Sequence, residues 1–286
     1  MPLVLAAIAP HGFPIIPELS DDANGALNTR QAMHELGRRA SKHHLDAIVI
    51  AGPHGVRVDG AMCLADVARA AGTLRWEGRQ VELNVPVDGD LTDAIAAEAR
   101  VAGIPVALAG YAGNRRFQSV IPMDWGVLTP LWFLGHGRNM VGHGDVLSPK
   151  PSEDIGPPAV IITPSRSLPH QTMVDFGQAV GRAIQNDGRK VAFVASCDWG
   201  HTHKEDGPYG FHEDAARVDG RVVEAVRSGD LHSLMALTDE EVQNAAIDGL
   251  WQTLMLAGVL AVTPLSCEVL CYEAPSYYGM LVASYE

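Results

Sequence analysis

The first 51 residues alternate between short apolar runs and one amphipathic pattern, and this alternation restricts the fold more than any other feature. Leu3–Ala9 and Leu45–Ala51 have the length and side-chain bulk of buried strands. Between them, Asn28–His43 carries small and aliphatic residues at the spacing of a helix. A strand, a helix and a second strand in this order favour a parallel sheet with a crossover helix. The sequence therefore predicts an α/β fold.

The alternation of strands and helices continues along the rest of the chain, without an internal repeat or a change in composition. We therefore expect one domain over residues 1–286, with a central, mostly parallel or mixed sheet flanked by helices. The other predicted strands are Arg79–Val85, Ile104–Ala109, Ala159–Thr163, Val191–Ala195, Glu268–Tyr272 and Gly279–Ser284; the other predicted helices are Leu91–Val101, Met173–Ile184, Ala215–Ser228, Leu231–Ala236 and about Asp248 to Leu260.

Charge and hydropathy exclude several classes of partner. The chain has 21 Lys and Arg against 34 Asp and Glu, a net charge of −13, and no basic run. Nucleic acids and anionic membrane surfaces are therefore unfavourable partners. No apolar stretch reaches the length of about 18 residues that a membrane span needs. The four cysteines form neither a CxxC pair nor a dense framework, which indicates reduced thiols and a cytoplasmic protein.

Three histidines follow predicted core strands directly. His11 lies in Ala-Pro-His-Gly after the first strand, His54 lies in Gly-Pro-His-Gly after the second, and His201 ends the segment Ser196–His201. Loops at the carboxyl ends of parallel strands converge on one crevice, so these side chains can meet although the sequence separates them. We expect them to form one site.

Imidazole binds zinc, iron, copper and nickel, and the remaining ligand decides among them. A carboxylate would complete a two-histidine, one-carboxylate triad with open positions, as in Fe(II) oxygenases, whereas a third histidine or a cysteine would indicate zinc. Asp248 and Glu273 are the candidate carboxylates, although an aspartate before a helix is also a common cap. Glu240 and Glu241 are expected to be a solvated first helical turn.

The order of these motifs over nearly the whole chain resembles the class III extradiol ring-cleaving dioxygenases, a superfamily that includes the catalytic subunit of protocatechuate 4,5-dioxygenase and the Memo proteins. The shared features are His11, His54, the strand end that leads to His201, and a late helix that begins near Asp248. The resemblance implies that His11, His54 and a carboxylate bind Fe(II), and that His201 is the catalytic acid and base.

The chain departs from this family at two positions. Many members have glutamate where this chain has Asp248, so either the backbone approaches the metal more closely or Glu273 is the ligand. Trp125 stands where some catechol-cleaving relatives have histidine, and we expect it to line the substrate pocket. Three residues of one loop, Tyr209, Phe211 and His212, are further candidates for substrate contact. His143 and His170 could also line the cleft, whereas His203 is expected to be exposed to solvent.

The expected function is a non-haem Fe(II) extradiol dioxygenase that cleaves a small catechol-type or aminophenol ring with O2. Two alternatives remain: a Memo-like binding protein that keeps the metal pocket without oxygen chemistry, and a zinc-dependent relative. Mn(II) is also compatible with the predicted ligands. We expect a homo-oligomer.

Overall fold

The structure, a computed structural model, describes residues 1–137 and 156–286. His143 lies outside these residues. The strands are β1 (Leu3–Ala9), β2 (Ala47–Ala51), β3 (Met62–Ala65), β4 (Arg69–Trp76), β5 (Arg79–Pro86), β6 (Val106–Ala109), β7 (Val120–Pro122), β8 (Ala159–Thr163), β9 (Val191–Ser196), β10 (Cys267–Glu273) and β11 (Met280–Tyr285). The α-helices are α1 (Leu27–His43), α2 (Gly89–Val101), α3 (Trp125–Leu131), α4 (His170–Asp187), α5 (Asp214–Ser228), α6 (Asp239–Ala245) and α7 (Leu250–Val262).

The large sheet has the strand order β10-β11-β1-β9-β2-β8-β3-β6. Its four central strands, β1, β9, β2 and β8, are parallel, while β11 and β3 pair antiparallel with the two ends of this group. The central strands are nearly continuous apolar runs because both faces of the sheet are covered. The predicted fold class, one α/β domain with a mixed sheet flanked by helices, is confirmed.

Alternate side chains of each central strand enter two hydrophobic layers. One layer packs against α2, α4, α5 and α7, and the other packs against α1, α3 and the smaller sheet. In the first layer α4 and α7 cross very closely. A Cβ atom on Gly177 would lie 2.0 Å from the carbonyl oxygen of Met255, and one on Gly258 would lie 2.0 Å from that of Val174. Only glycine permits this approach, which fixes α7 against α4.

The smaller sheet, in the order β5-β4-β7, extends the sequence prediction, which gave only Arg79–Val85. β4 and β5 form a hairpin in which Trp76 pairs with Arg79. Its two connecting residues, Glu77 and Gly78, both have positive φ angles, 49° and 78°, as a type I′ turn requires. β7 then adds in parallel to β4 from a distant part of the chain. Short strands of this kind have little periodicity of their own.

The structure confirms most of the predicted helices and strands, with ends that shift by one to three residues. The short segment Leu231–Ala236 is a 3₁₀-helix, and the helix predicted from Asp248 begins two residues later, at Leu250. Glu240 and Glu241 lie in the first turn of α6 as expected; Glu240 is exposed, whereas Glu241 is largely covered, since it caps the helix and pairs with Arg221. Among the helices of residues 1–137 and 156–286, none is both long enough and apolar enough to cross a membrane.

Candidate metal centre

The four central parallel strands end at the same edge of the large sheet, and residues that follow each strand meet in one cavity. His11 follows β1, His54 follows β2, Arg166 follows β8, and Asp198 and His201 follow β9. In α/β proteins, ligands commonly bind in the crevice outside the carboxyl ends of the parallel strands. The predicted convergence of the three histidines on one crevice is found here.

His11, His54 and Asp248 place their donor atoms within 4.8 Å of one another. Nε2 of His11 is 3.4 Å from Oδ2 of Asp248, and Nε2 of His54 is 3.8 Å from the same oxygen. Donor atoms that bind one metal ion at about 2.1 Å lie about 3 Å apart. The three side chains therefore need to move by less than about an ångström to share an ion, and they fit a divalent metal.

The ring of His11 is oriented by the strand next to it. Its Nδ1 lies 3.1 Å from Oγ of Ser196, whose hydroxyl donates to the carbonyl of Gly126. Because the hydroxyl proton of Ser196 is directed to the carbonyl of Gly126, its Oγ accepts a hydrogen bond from Nδ1–H of His11. Nε2 of a neutral His11 is thereby free of a proton and available to a metal, a common device for metal-binding histidines.

Asp248, and not Glu273, completes the group. The Asp248 side chain is 10% exposed, and its Oδ1 accepts a hydrogen bond of 3.0 Å from the amide of Asp198. It does not cap α7, whose cap residue is Gly249. Glu273 binds both the amide and the hydroxyl of Thr29 at the start of α1. The alternatives of Glu273 as ligand and Asp248 as cap therefore disagree with the structure.

The metal-free cluster holds an imidazolium between carboxylates. Burial opposes charge on His11, but attraction to Asp198 and Asp248 outweighs it and raises the pKa of His11 to about 9. Burial, together with repulsion from His11, lowers the pKa of His54 to about 4. Burial raises the pKa of Asp198, whereas for Asp248 the nearby histidines overcome burial and lower the pKa. A proton therefore occupies the position that a cation would take.

Asp198 is the principal site residue that the sequence analysis did not identify. Its Oδ2 lies 3.4 Å from Nε2 of His11, and its Oδ1 accepts from the amide of His11 at 3.1 Å. The signal was present, since Asp198 is the second residue after a buried strand, but its meaning depends on β9 lying beside β1. Asp198 thus fixes both the backbone and the charge state of the first predicted ligand.

The cavity beside this cluster has a volume of about 790 Å³ and a mixed polar and aromatic wall. It is large enough for a substituted single ring. Besides the residues already named, its wall includes Phe13, Arg57, Trp76, Trp125, Tyr209, Asp239, Trp251, Tyr277 and Tyr278.

His201 lines the cavity but is not part of the His11, His54 and Asp248 group. Its ring stacks on Tyr278 at a centroid distance of 5.6 Å and contacts Tyr209 and Tyr277 at 5.7 and 6.0 Å. Nδ1 of His201 is buried with no hydrogen-bond partner among the described residues. Aromatic packing therefore positions this ring, and Nε2 is the nitrogen that can reach a ligand.

The four predicted substrate-contact residues divide into two pairs. Trp125 and Tyr209 line the cavity, and the Trp125 ring lies 4.3 Å from that of His54. Phe211 and His212 are not among the lining residues: Phe211 is 59% exposed, and Nδ1 of His212 accepts from the amide of Asp214. Tyr209 reaches the edge of the cavity although it is 62% exposed, and Gly210, whose φ angle is 70°, turns the chain between it and Phe211.

The expectation that His203 is exposed is wrong. Its Nε2 lies 2.9 Å from Oδ2 of the buried Asp219, which also accepts from the hydroxyl of Tyr272 and the amide of Gly200. Asp219 therefore binds Gly200, which precedes His201, and His203, which lies two residues after it. His170, at the first residue of α4, is not among the residues that line the cavity.

One curated protein is similar to this chain in sequence, and one solved structure is similar in fold. The chain is 21% identical over 281 residues to a curated protein of Clostridium acetobutylicum, a match that covers 98% of this chain and 56% of the relative. The chain thus spans a little over half the length of that relative. The fold is similar to the crystal structure of an uncharacterised protein of Escherichia coli, with a TM-score of 0.56, 16% identity and 98% coverage of both chains.

A family comparison covers the same elements that build the site. Residues 5–282 match the family described as the catalytic LigB subunit of aromatic ring-opening dioxygenase. The matched range runs from within β1 to within β11 and includes His11, His54, His201 and Asp248. The match agrees with the resemblance that the order of these residues indicated. The chain belongs to the LigB family of aromatic ring-opening dioxygenase catalytic subunits.

Proposed function

We propose that this protein is a non-haem Fe(II)-dependent extradiol dioxygenase that opens a catechol-type or aminophenol ring with O2. The observation that carries the proposal is the meeting of His11, His54 and Asp248 at the wall of a ring-sized cavity beside His201. Two imidazoles and one carboxylate are the donor set of non-haem Fe(II) oxygenases. For a catechol, cleavage of the carbon–carbon bond beside the diol with incorporation of both atoms of O2 would give a 2-hydroxymuconic semialdehyde.

The donor set also determines the charge that the site presents. His11 and His54 are neutral when they bind a metal and Asp248 contributes one negative charge, so a divalent ion keeps one net positive charge. A singly ionised catechol would neutralise it. Bound Fe(II) would supply open positions for two ring oxygens and for O2.

His201 is the group that we assign to proton transfer. Its ring lines the same cavity and packs among Tyr209, Tyr277 and Tyr278. Its Nδ1 is buried, so Nε2 is the nitrogen that we expect to contact a ligand. We propose that Nε2 accepts the second hydroxyl proton of the bound diol and later returns a proton to oxygen as the ring opens. General acid and base catalysis of this kind contributes about 10²–10⁴-fold to a rate.

The aromatic wall would hold the ring flat against the metal centre. Trp125 lies over His54 on one side, and Tyr209 and Tyr278 flank His201 on the other. Aromatic side chains pack well against a planar ring in offset or edge-to-face geometry. The indole of Trp125 offers no proton acceptor, so it cannot share the proton transfer that we assign to His201.

The test is metal analysis of protein purified without oxygen, followed by O2 uptake with a panel of catechols and aminophenols. We expect about one iron per chain and an O2 consumption equal to the amount of ring cleaved. The matched variant Asp248→Ala should lose both iron and O2 uptake, while Glu273→Ala should keep both. Bound metal without O2 uptake for any diol would contradict the proposal and favour a binding protein, and tightly bound zinc would favour a zinc-dependent relative.

A further inference from the structure

Asp219, on α5, is a fully buried carboxylate outside the metal centre. Three donors surround it: the amide of Gly200 at 2.8 Å, Nε2 of His203 at 2.9 Å and the hydroxyl of Tyr272 at 2.7 Å. A carboxylate only accepts hydrogen bonds, so His203 donates from Nε2–H. Among the residues that the structure describes, no lysine or arginine pairs with Asp219. Because a buried charge costs free energy that an apolar side chain would not, we expect these hydrogen bonds to have a role beyond stability.

Two of these donors belong to the segment that carries His201. Gly200 directly precedes His201, and His203 lies two residues after it. Further backbone hydrogen bonds fix the same segment: the amide of Gly279 donates to the carbonyl of Gly200 at 3.0 Å. The amide of His201 itself donates to the carbonyl of Ala245, the last residue of α6, at 2.7 Å. The backbone around His201 is therefore held by α5, by α6 and by the residue before β11.

His203 also joins the two loops whose rings contact His201. Its amide donates to the carbonyl of Tyr277 at 3.2 Å, and its backbone forms a β-bridge with Phe211. The Tyr277 ring lies 6.0 Å from that of His201. Tyr209, two residues before Phe211, contacts the same ring at 5.7 Å. The hydrogen bond from the His203 side chain to the buried carboxylate thus anchors both loops at one point.

The third donor, Tyr272, belongs to the strand that leads to the ring stacked on His201. Tyr272 lies near the end of β10, and the connection from there to β11 carries Tyr278. This connection passes directly over the carboxylate of Asp219, since a Cβ atom on Gly279 would lie 2.0 Å from Oδ2. The Tyr278 ring stacks on that of His201 at 5.6 Å. One buried carboxylate therefore supports both the backbone of His201 and the aromatic rings around it.

The Asp219 cluster, which consists of Asp219, His203 and Tyr272, acts on the cavity only through its neighbours. None of its three members is among the residues that line the cavity, and none belongs to the predicted metal-binding group. A change at Asp219 can therefore move the His201 ring without removing a metal ligand.

We propose that Asp219 is a positioning residue for His201. With His203 and Tyr272 it holds the imidazole ring against Tyr278, so that Nε2 of His201 keeps a fixed place at the cavity wall. The consequence for turnover rests on the proposed function, in which His201 transfers protons; the placement of the ring does not. Displacement of a reacting group is costly, since a shift of about 1 Å can reduce a rate about a hundredfold.

The experiment compares exchanges in the cluster with a matched control. Asp219→Asn keeps the size of the side chain but replaces one acceptor oxygen by a donor, so the contacts with all three donors cannot be kept. His203→Gln keeps an N–H donor, whereas His203→Ala removes it. Asp88→Asn is the control, because Asp88 is also a buried carboxylate with a cationic partner, Arg189. Asp88 caps α2 and does not line the cavity.

Three quantities are measured for each variant. Iron content, and kcat and KM for a catechol by O2 uptake, come from iron-loaded protein purified without oxygen. The position of the His201 ring comes from its proton NMR signals in the zinc-loaded protein, since Zn²⁺ has a filled d shell and is diamagnetic. These signals are assigned by their loss in His201→Asn, and they depend on the ring current of Tyr278.

We expect Asp219→Asn and His203→Ala to keep their iron, to lower kcat by about tenfold or more, and to change KM by less than about threefold. The His201 signals should shift in the same two variants. His203→Gln should recover most of kcat and the wild-type signals, and Asp88→Asn should change neither. Wild-type kcat and unshifted His201 signals in Asp219→Asn would overturn the proposal, as would an equal loss of kcat in His203→Gln and His203→Ala.

The two proposals fail separately. If the His201 signals shift as expected but no diol consumes O2, the positioning role stands and ring cleavage is wrong. If diols are cleaved and Asp219→Asn has wild-type kcat, ring cleavage stands and the positioning role is wrong. If Asp219→Asn does not fold, the two His203 variants decide, because the His203 side chain lies at the edge of the cluster and is 14% exposed.

Discussion

The loops after β1 and β2 have almost the same local sequence, Pro-His-Gly, and place their histidines in opposite environments. The His11 side chain is 1% exposed, donates a hydrogen bond to the hydroxyl of Ser196 and lies between Asp198 and Asp248. The His54 side chain is 29% exposed and lies against Trp125. The pKa of His11 is raised to about 9 and that of His54 is lowered to about 4. Local sequence therefore determines where a ligand lies, and distant neighbours determine its charge.

The largest expected effect separates the structural roles of the two histidines. His11→Ala and His54→Ala each remove a ligand and should weaken metal binding by at least about a hundredfold. Without metal, His11→Ala also leaves two buried carboxylates unpaired and should lower the free energy of unfolding by about 3 kcal/mol. His54→Ala should lower it by less than about 1 kcal/mol. Urea unfolding of the metal-free proteins measures the difference.

A double variant serves as the control. His11→Ala with Asp198→Asn removes one of the two carboxylates and should recover part of the lost stability without recovering metal. Equal stability of the two single variants would show that the contrast between the two loops has no energetic consequence.

The next effect concerns the third histidine. His201→Ala should retain its metal, because His201 is not in the donor group, and lose about 10²-fold or more in turnover. His212→Ala is the matched control: His212 follows the same strand end but is not among the cavity residues, and its loss should change turnover by less than about threefold. A His201 variant without metal would instead make His201 a ligand.

The pH dependence of metal binding sharpens the same comparison. Because the folded, metal-free protein keeps His11 protonated below about pH 9, a metal must displace that proton, whereas His54 is already neutral above about pH 4. Affinity should rise about tenfold per pH unit between pH 6 and 8 and level off above pH 9. Calorimetry in buffers of different ionisation enthalpy should detect about one proton released per metal. Release of two protons would place His54 in the same charge state as His11.

The smallest effect is expected at the ring that covers His54. Trp125→His changes the cavity wall without removing a ligand, so substrate preference should shift by several-fold while metal content stays constant. Trp125→Phe keeps an aromatic surface and should change the preference less. An unchanged substrate profile in both variants would mean that Trp125 does not contact the substrate.

What the sequence could and could not predict follows the same division between local and distant contacts. His11 and His54 were identified because each follows its own strand, and Asp248 because it precedes a helix in the expected order. The role of Asp198 depends on contacts with His11, 187 residues away, and the pairing of β4 with β7 joins parts of the chain that share no local pattern. Both contacts depend on the order of the strands in the sheets, which cannot be read from any single segment of the sequence.

The direction of side chains in loops was the second limit. Tyr209 and Phe211 are both aromatic and two residues apart, and nothing in the sequence separates their roles. Both side chains are largely exposed, at 62% and 59%, but the left-handed backbone at Gly210 turns the chain between them, and of the two it is Tyr209 that lines the cavity. Arg57 and Arg166 line the same cavity and were missed for a related reason: the pairing of β2 with β8 brings the loops that carry them to one edge of the sheet.

The close crossing of Gly177 and Gly258 has a consequence for how this scaffold evolves. These contacts position α7 from the face of the helix that packs on α4, and they involve no atom of residue 248. The first turn of the helix therefore keeps its place when that side chain is exchanged. Aspartate codons differ by a single base from codons for glutamate and histidine. One point mutation can therefore replace the donor atom of residue 248 while the backbone of α7 keeps its position. Such an exchange would change the donor set that the cluster offers to a metal without disturbing the packing of α7 on α4.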